Sequence, residues 1–138
     1  MLFIPKKQKY KKQQKGKSFR KIVYKSCTLK HGQIGLKTLH SARFDSKLII
    51  SLYNNLKKKM KKKGKVLITV FPQTPITNKP VEVRMGKGKG NVAFWVAKVK
   101  AGCIICEIST FKITSAINVL KNIRFKLPVK TKIVLRPN

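Results

Sequence analysis

The chain has 138 residues and a formal net charge of +31, from 34 lysines and arginines against three acids, Asp45, Glu82 and Glu107. So few carboxylates leave no pair for glycoside hydrolysis and no acidic cluster for magnesium or calcium, which sets enzyme readings far behind binding ones. The length is that of one domain, and a hydrophobic fraction of 42% supplies a core that a disordered basic tail would lack.

Unneutralised charge on this scale repels itself in a compact state, so a polyanion is the expected partner. Five of the cations are arginine (Arg20, Arg43, Arg84, Arg124 and Arg136) and the rest lysine. Ammonium groups are hydrated point charges that suit phosphate oxygens better than base edges, which favours a nucleic acid held by its backbone. An anionic membrane or an acidic protein would concentrate the cations on one helix or tail, whereas here the lysines run from Lys6 to Lys132.

Residues 1–25 read as a basic arm, Pro5-Lys6-Lys7-Gln8-Lys9-Tyr10-Lys11-Lys12 and onward, with too few apolar residues to pack alone. Met1-Leu2-Phe3-Ile4-Pro5 is too short for a secretory core, and the segment is rich in Lys and Gln where a transit peptide would carry Arg and Ser, so a soluble protein without a secretory signal is expected. The longest apolar run, 92–97, is far short of a membrane span. Residues 26–138 form the expected single domain. Between Ser26 and Arg43, Leu29, Ile34, Leu36 and Leu39 interrupted by Gly32 and Gly35 suggest two short strands and a turn. Ile49, Leu52, Tyr53, Leu56 and Met60 then recur as one helical stripe, with Asp45 as the expected capping acceptor and Gly64 as the stop.

That helix ends in Lys57-Lys58-Lys59-Met60-Lys61-Lys62-Lys63. A helix carboxyl terminus is complemented by one or two cations; six that repel one another point to phosphate contact. Residues 65–71 read as a strand ended by Pro72, and Pro75 and Pro80 bracket an expected loop. Strands are expected at 81–84 and 92–99, joined across 85–91, and at 103–108. Phe94 and Trp95 are adjacent on a strand apolar on both faces, so at least one is expected in the core. Ile113, Ala116, Ile117, Leu120 and Ile123 give a second helical stripe closed by Pro128, and 130–135 suits a last strand. Two one-sided helices beside a mostly antiparallel sheet make an α+β domain.

Cys103-Ile104-Ile105-Cys106 has the spacing of half a zinc site, and Cys27 with His31 would complete a four-ligand set on paper. The apolar, β-branched surroundings read as strand, where residues three apart face opposite ways, so small buried thiols are expected and neither metal nor cofactor. His40 stands alone and reads as structural or RNA-facing.

Glu82-Val83-Arg84-Met85-Gly86-Lys87-Gly88-Lys89-Gly90-Asn91 is the most informative stretch. Alternating Gly and Lys allows positive φ and close backbone approach, with a charge at every second position. It is neither a dinucleotide fingerprint nor a P-loop, since a strand follows and no Gly-Lys-Ser or Gly-Lys-Thr opens a helix.

The run from Pro72-Gln73-Thr74-Pro75-Ile76-Thr77-Asn78-Lys79-Pro80 through Arg84-Met85-Gly86-Lys87-Gly88-Lys89-Gly90-Asn91-Val92 resembles the signature of the ribosomal protein L-sixteen family of the large subunit. Lys15-Gly16-Lys17 resembles the end of its basic start, and Lys126-Leu127-Pro128-Val129-Lys130-Thr131 its Lys-Leu-Pro close, so the resemblance spans nearly the whole chain. It implies an α+β protein, not an enzyme, bound to large-subunit rRNA near the aminoacyl-tRNA site. Arg84, Met85, Gly86, Lys87, Gly88, Lys89 and Gly90 would form a loop toward the tRNA and the peptidyl-transferase region, and Lys6, Lys7, Lys9, Lys11 and Lys12 would anchor the arm. Lys15, Lys17, Lys57, Lys58, Lys59, Lys61, Lys62 and Lys63 complete the expected rRNA contacts.

The partners implied are large-subunit rRNA, the aminoacyl-site tRNA and, less directly, the peptidyl-site tRNA, and other large-subunit proteins, with no membrane and no small-molecule substrate. The bias to Lys, Ile and Asn fits an AT-rich genome and points to an organelle-encoded mitochondrial member, with plastid or bacterial cytoplasm as alternatives. The rival function is a general nucleic-acid chaperone or DNA-compacting protein.

Overall fold

The computed structural model describes residues 4–16, 22–23, 26–61 and 63–137. Along them run β1 (Ile34–Thr38), β2 (Ala42–Asp45), α1 (Ser46–Met60), β3 (Gly64–Ile68), β4 (Thr74–Asn78), β5 (Asn91–Val99), β6 (Ile104–Thr110), α2 (Ile113–Arg124) and β7 (Thr131–Leu135). The strands form a four-stranded sheet ordered β3-β6-β1-β7 and a three-stranded sheet ordered β2-β5-β4, with every pairing antiparallel. This is the α+β class expected from the patterning. Among the described residues no helix is long and apolar enough to cross a membrane.

The core lies where the helices meet the sheets. Helix α1 packs on α2, β2, β3 and β5, and α2 packs on β1, β6 and β7. Ile49, Leu52, Leu56 and Met60 of α1 are buried, as the stripe requires, and so are Ala116, Leu120 and Ile123 of α2. They close on Ile34, Leu36, Phe44, Val99, Ile105 and Ile108.

Several local expectations are corrected. The two strands placed in residues 26–43 begin later, at Ile34 and Ala42, and lie in different sheets. Asp45 occupies the N-cap position of α1, but its carboxylate makes no capping hydrogen bond. It is also the last residue of β2, paired with Val96, and the strand sets its side-chain direction. Helix α1 ends before Gly64. Lys61 is the C-cap, with a positive φ of 50° and a ψ of −128° that break the helical path while its N–H still donates to the Lys57 carbonyl at 2.9 Å. Gly64 opens β3 instead and is small for another reason: a Cβ there would stand 2.8 Å from the Ser109 carbonyl oxygen and 2.9 Å from Met60 Cε.

The expected loop between Pro75 and Pro80 is largely strand β4, and the strand expected at 81–84 is a turn. Proline removes one ladder donor, which an edge strand tolerates, and β4 is the edge of its sheet. Thus β5 pairs with 74–78, leaving residues 79–90 as one long loop. Phe94 is 42% exposed and Trp95 half-buried, so neither belongs to the core. The core begins at Val96, where β2 joins β5; from Asn91 to Trp95 the strand has β4 alone beside it and forms a two-stranded ribbon.

The hydroxyl of Thr131, at the start of β7, is buried without a hydrogen-bond partner. Replacing Thr131 with the isosteric, β-favouring Val removes that unmet polar group, and the denaturation midpoint is expected to rise by the equivalent of about 1 kcal/mol. A loss of stability on urea titration contradicts this.

Candidate nucleic-acid interface

The ribbon of β4 and β5 carries residues 79–90 at its tip, and the backbone there departs from ordinary geometry. Gly86, Lys87 and Gly88 all have positive φ, at 97°, 52° and 81°. Nothing stands within 4 Å of where a Cβ would sit on Gly86 or Gly88, so these glycines serve conformation. Gly90 serves closeness, because its missing Cβ would collide with the Asn78 backbone across the ribbon. Lys87 holds a left-handed conformation that a side chain adopts at a cost of about 1–2 kcal/mol. Residues 81–89 are all exposed, with Val81 and Met85 wholly so, and the loop thus presents apolar as well as charged groups.

The arm runs along this ribbon. Gln8 Nε2 donates to the Gln73 carbonyl at 3.4 Å, beside the base of β4. Lys12 Nζ donates to the Lys89 carbonyl at 2.7 Å, and Lys89 Nζ returns a hydrogen bond to the Gln13 carbonyl. Farther on, Arg43 Nη2 on β2 donates to the Gly16 carbonyl at 2.6 Å and to that of Lys15 at 3.4 Å. Lys79 Nζ closes the loop on itself through the Gly86 carbonyl at 2.5 Å. Exposed hydrogen bonds of this kind are each worth about 1 kcal/mol or less, which allows a phosphate to displace them.

Of the residues singled out in the sequence, the structure therefore brings together Lys12 of the arm and Lys89 of the loop, and sets the Lys15 backbone beside Arg43 of β2. Lys6, Lys7, Lys9 and Lys11 lie on the same arm, exposed, with Lys9 over the Tyr10 ring at 5.5 Å. Lys57, Lys58, Lys59, Lys61 and Lys63 are exposed at the end of α1, and Lys57 stands 5.9 Å from the Tyr53 ring centroid. Lys17 and Lys62 lie outside the described residues.

The model for ribosomal protein L16p/L10e matches residues 5–134, nearly the whole chain. The chain belongs to this family. As an L16p/L10e protein it is a structural component of the ribosome and not an enzyme. It is 42% identical over 132 residues to the large ribosomal subunit protein uL16 of Psychrobacter cryohalolentis, with 96% of each chain covered, and identical to the same degree and extent to that of Psychrobacter arcticus.

Within this family member the acid that matters is Glu107, which neither charge nor motif singles out. Its residue is 2% exposed on β6, and its carboxylate accepts from three successive backbone N–H groups: Lys30 at 3.2 Å, His31 at 2.7 Å and Gly32 at 2.7 Å. Desolvation pushes this carboxyl up, but the N–H groups of Gly32, His31 and Lys30, with the nearby His31 side chain, outweigh it and hold it below the usual range. The only signal in the sequence is a lone acid inside the apolar run from Ile104 to Ile108 in a chain with three acids. Next to it, burial pushes the Cys106 thiol up to about 12, with the Leu36 backbone hydrogen bond opposing and the Glu107 charge adding. Burial also raises the Cys103 thiol, so both favour the neutral form.

Proposed function

We propose that this chain is a constituent of the large ribosomal subunit that grips large-subunit rRNA through its arm, its glycine-lysine loop and the lysine-rich end of α1. The observation that carries this reading is the reciprocal pair of hydrogen bonds between Lys12 and Lys89 and between Lys89 and Gln13. It makes one cationic surface of two segments 77 residues apart in sequence. The loop rides at the tip of a ribbon whose outer half lies beyond the core, as a probe reaching into folded RNA requires. Its positive-φ backbone lets phosphates approach closely, and Val81 and Met85 add apolar contact. From the family resemblance, Arg84 to Gly90 face the aminoacyl-tRNA site and support tRNA placement near the peptidyl-transferase centre, with peptidyl-site tRNA and neighbouring large-subunit proteins as further contacts.

Both bacterial relatives support a bacterial type of ribosome, while the narrower mitochondrial reading rests on the Lys, Ile and Asn bias; fractionating cells for the ribosomes that hold the chain separates the two.

The test is a salt titration of binding to large-subunit rRNA and to duplex DNA, alongside co-sedimentation with large subunits. Neutralising Lys57, Lys58 and Lys59 is expected to lower the slope of log K against log salt by about 0.7 to 0.9 for each phosphate no longer neutralised. Equal affinity for DNA and rRNA, or absence from large subunits at moderate salt, favours the nucleic-acid chaperone instead.

A further inference from the structure

The turn after α2 exposes a phenylalanine outside the core. Phe125 lies off the buried stripe of its helix and is 77% exposed. A single exposed apolar side chain is ordinary, but its surroundings here are not. The Arg124 guanidinium carbon stands 5.0 Å from the ring centroid. Ring and guanidinium border an open groove of about 520 Å³, lined also by Leu39, Leu127, Val129 and Lys130. Exposed Arg124 and Lys130 rim it with charge. The frame is held by backbone hydrogen bonds from Lys126 to Ile123 at 2.9 Å, from Leu127 to Arg124 at 3.3 Å and from Leu39 to Lys130 at 3.0 Å.

We propose that this groove receives one unstacked nucleotide of RNA, its base on the ring of Phe125 and the guanidinium of Arg124 and its phosphate against Lys130. The inference rests on the RNA-binding reading above and adds a contact of another chemistry. An acidic peptide would use the charged rim but has no use for a flat ring paired with a flat cation, whereas a nucleotide uses both. The volume falls within the range of small-ligand sites. Stacking tolerates any base, which agrees with a protein that reads phosphate and shape. The groove sits where α2 meets β7, on the four-stranded sheet, and the arm and loop sit along the three-stranded one.

The experiment uses the full chain and a short single-stranded, thiouridine-substituted oligoribonucleotide, at salt that screens the lysine contacts. Phe125 is exposed, so Phe125→Leu and Phe125→Trp leave the core intact. Phe125→Leu is expected to weaken binding about tenfold, with the salt slope unchanged because every phosphate partner is retained, while Phe125→Trp keeps its affinity. Irradiation is expected to cross-link the RNA within residues 124–131. Equal affinity of wild type and Phe125→Leu, or cross-links that leave 124–131 empty, overturns the proposal. A polyglutamate peptide that binds wild type and loses affinity in Phe125→Leu, with RNA binding unaltered, assigns the groove to an acidic protein and also overturns it. Wild type that binds no RNA under any salt overturns the proposed function as well; binding indifferent to Phe125 overturns this inference alone.

Discussion

Glu107→Ala is expected to destabilise the fold by about 3 to 5 kcal/mol, a large share of the 5–15 kcal/mol that holds a domain of this kind together. The reason is geometric. The substitution leaves the N–H groups of Lys30, His31 and Gly32 without their acceptor, the first two part-buried and the third buried. Hydrogen bonds to a charged group contribute about 1.5 to 3 kcal/mol each, and partial solvation of the opened site returns some of that. Glu107→Gln keeps a carbonyl acceptor but loses the charge and is expected to cost about 1 to 2 kcal/mol. Nor can the chain retreat elsewhere at this spot: a Cβ on Gly32 would stand 2.9 Å from both the nitrogen and the oxygen of Ile108.

The same contact predicts a pH dependence whose sign follows from the lowered Glu107 carboxyl. A depressed folded-state pKa means that its contribution is complete above the ordinary value of 4.5 and is lost as the pH falls through the folded value. Urea titrations in sulfate buffer, which screens the +31 charge, check both effects. Glu107→Gln is expected to flatten the acid limb, and a Glu107→Ala midpoint within about 1 kcal/mol of wild type contradicts the assignment.

The second large effect concerns the loop. Replacing Lys87 and Lys89 together with Ala is expected to impair tRNA-dependent steps of translation while the protein still enters large subunits, and to lower the rRNA salt slope by about 1.4 to 1.8 in total. The two lysines act differently. Lys87 stands exposed at positive φ on a loop with no packing behind Gly86 or Gly88, whereas Lys89 also ties the loop to Gln13 of the arm. Lys89→Ala alone is therefore expected to increase protease cleavage of the arm, and Lys87→Ala alone is not. Failure of subunit incorporation with normal tRNA binding in the surviving particles would make the loop an anchor only.

Much of this molecule was legible in one dimension. Both helices declare themselves through periods that depend on neighbours within the helix, and Leu56 and Leu120 are fully buried where those periods place them. Charge and the Gly-Lys alternation are likewise local, and they marked the arm and the loop as the exposed cationic segments that the structure shows. What failed was pairing. Residues 81–84 have the composition of a strand, yet β5 takes 74–78 as its partner, Pro75 included, because an edge strand does not need the donor that proline lacks. Phe94 and Trp95 look like core residues in a window of the chain, but the core stops at Val96, where β2 leaves β5.

Sequence by itself settled the class of the fold and its two amphipathic helices, and raised the expectation of a polyanionic partner, because those follow from spacing and from summed charge. Tertiary structure alone decided that Lys12 meets Lys89, that Glu107 is wrapped by the backbone of residues 30–32, and that Phe125 is left beside a groove. Each is a contact between segments distant in the chain, or between a side chain and a backbone whose direction only the finished sheets determine. Periodicity carries no information about such contacts.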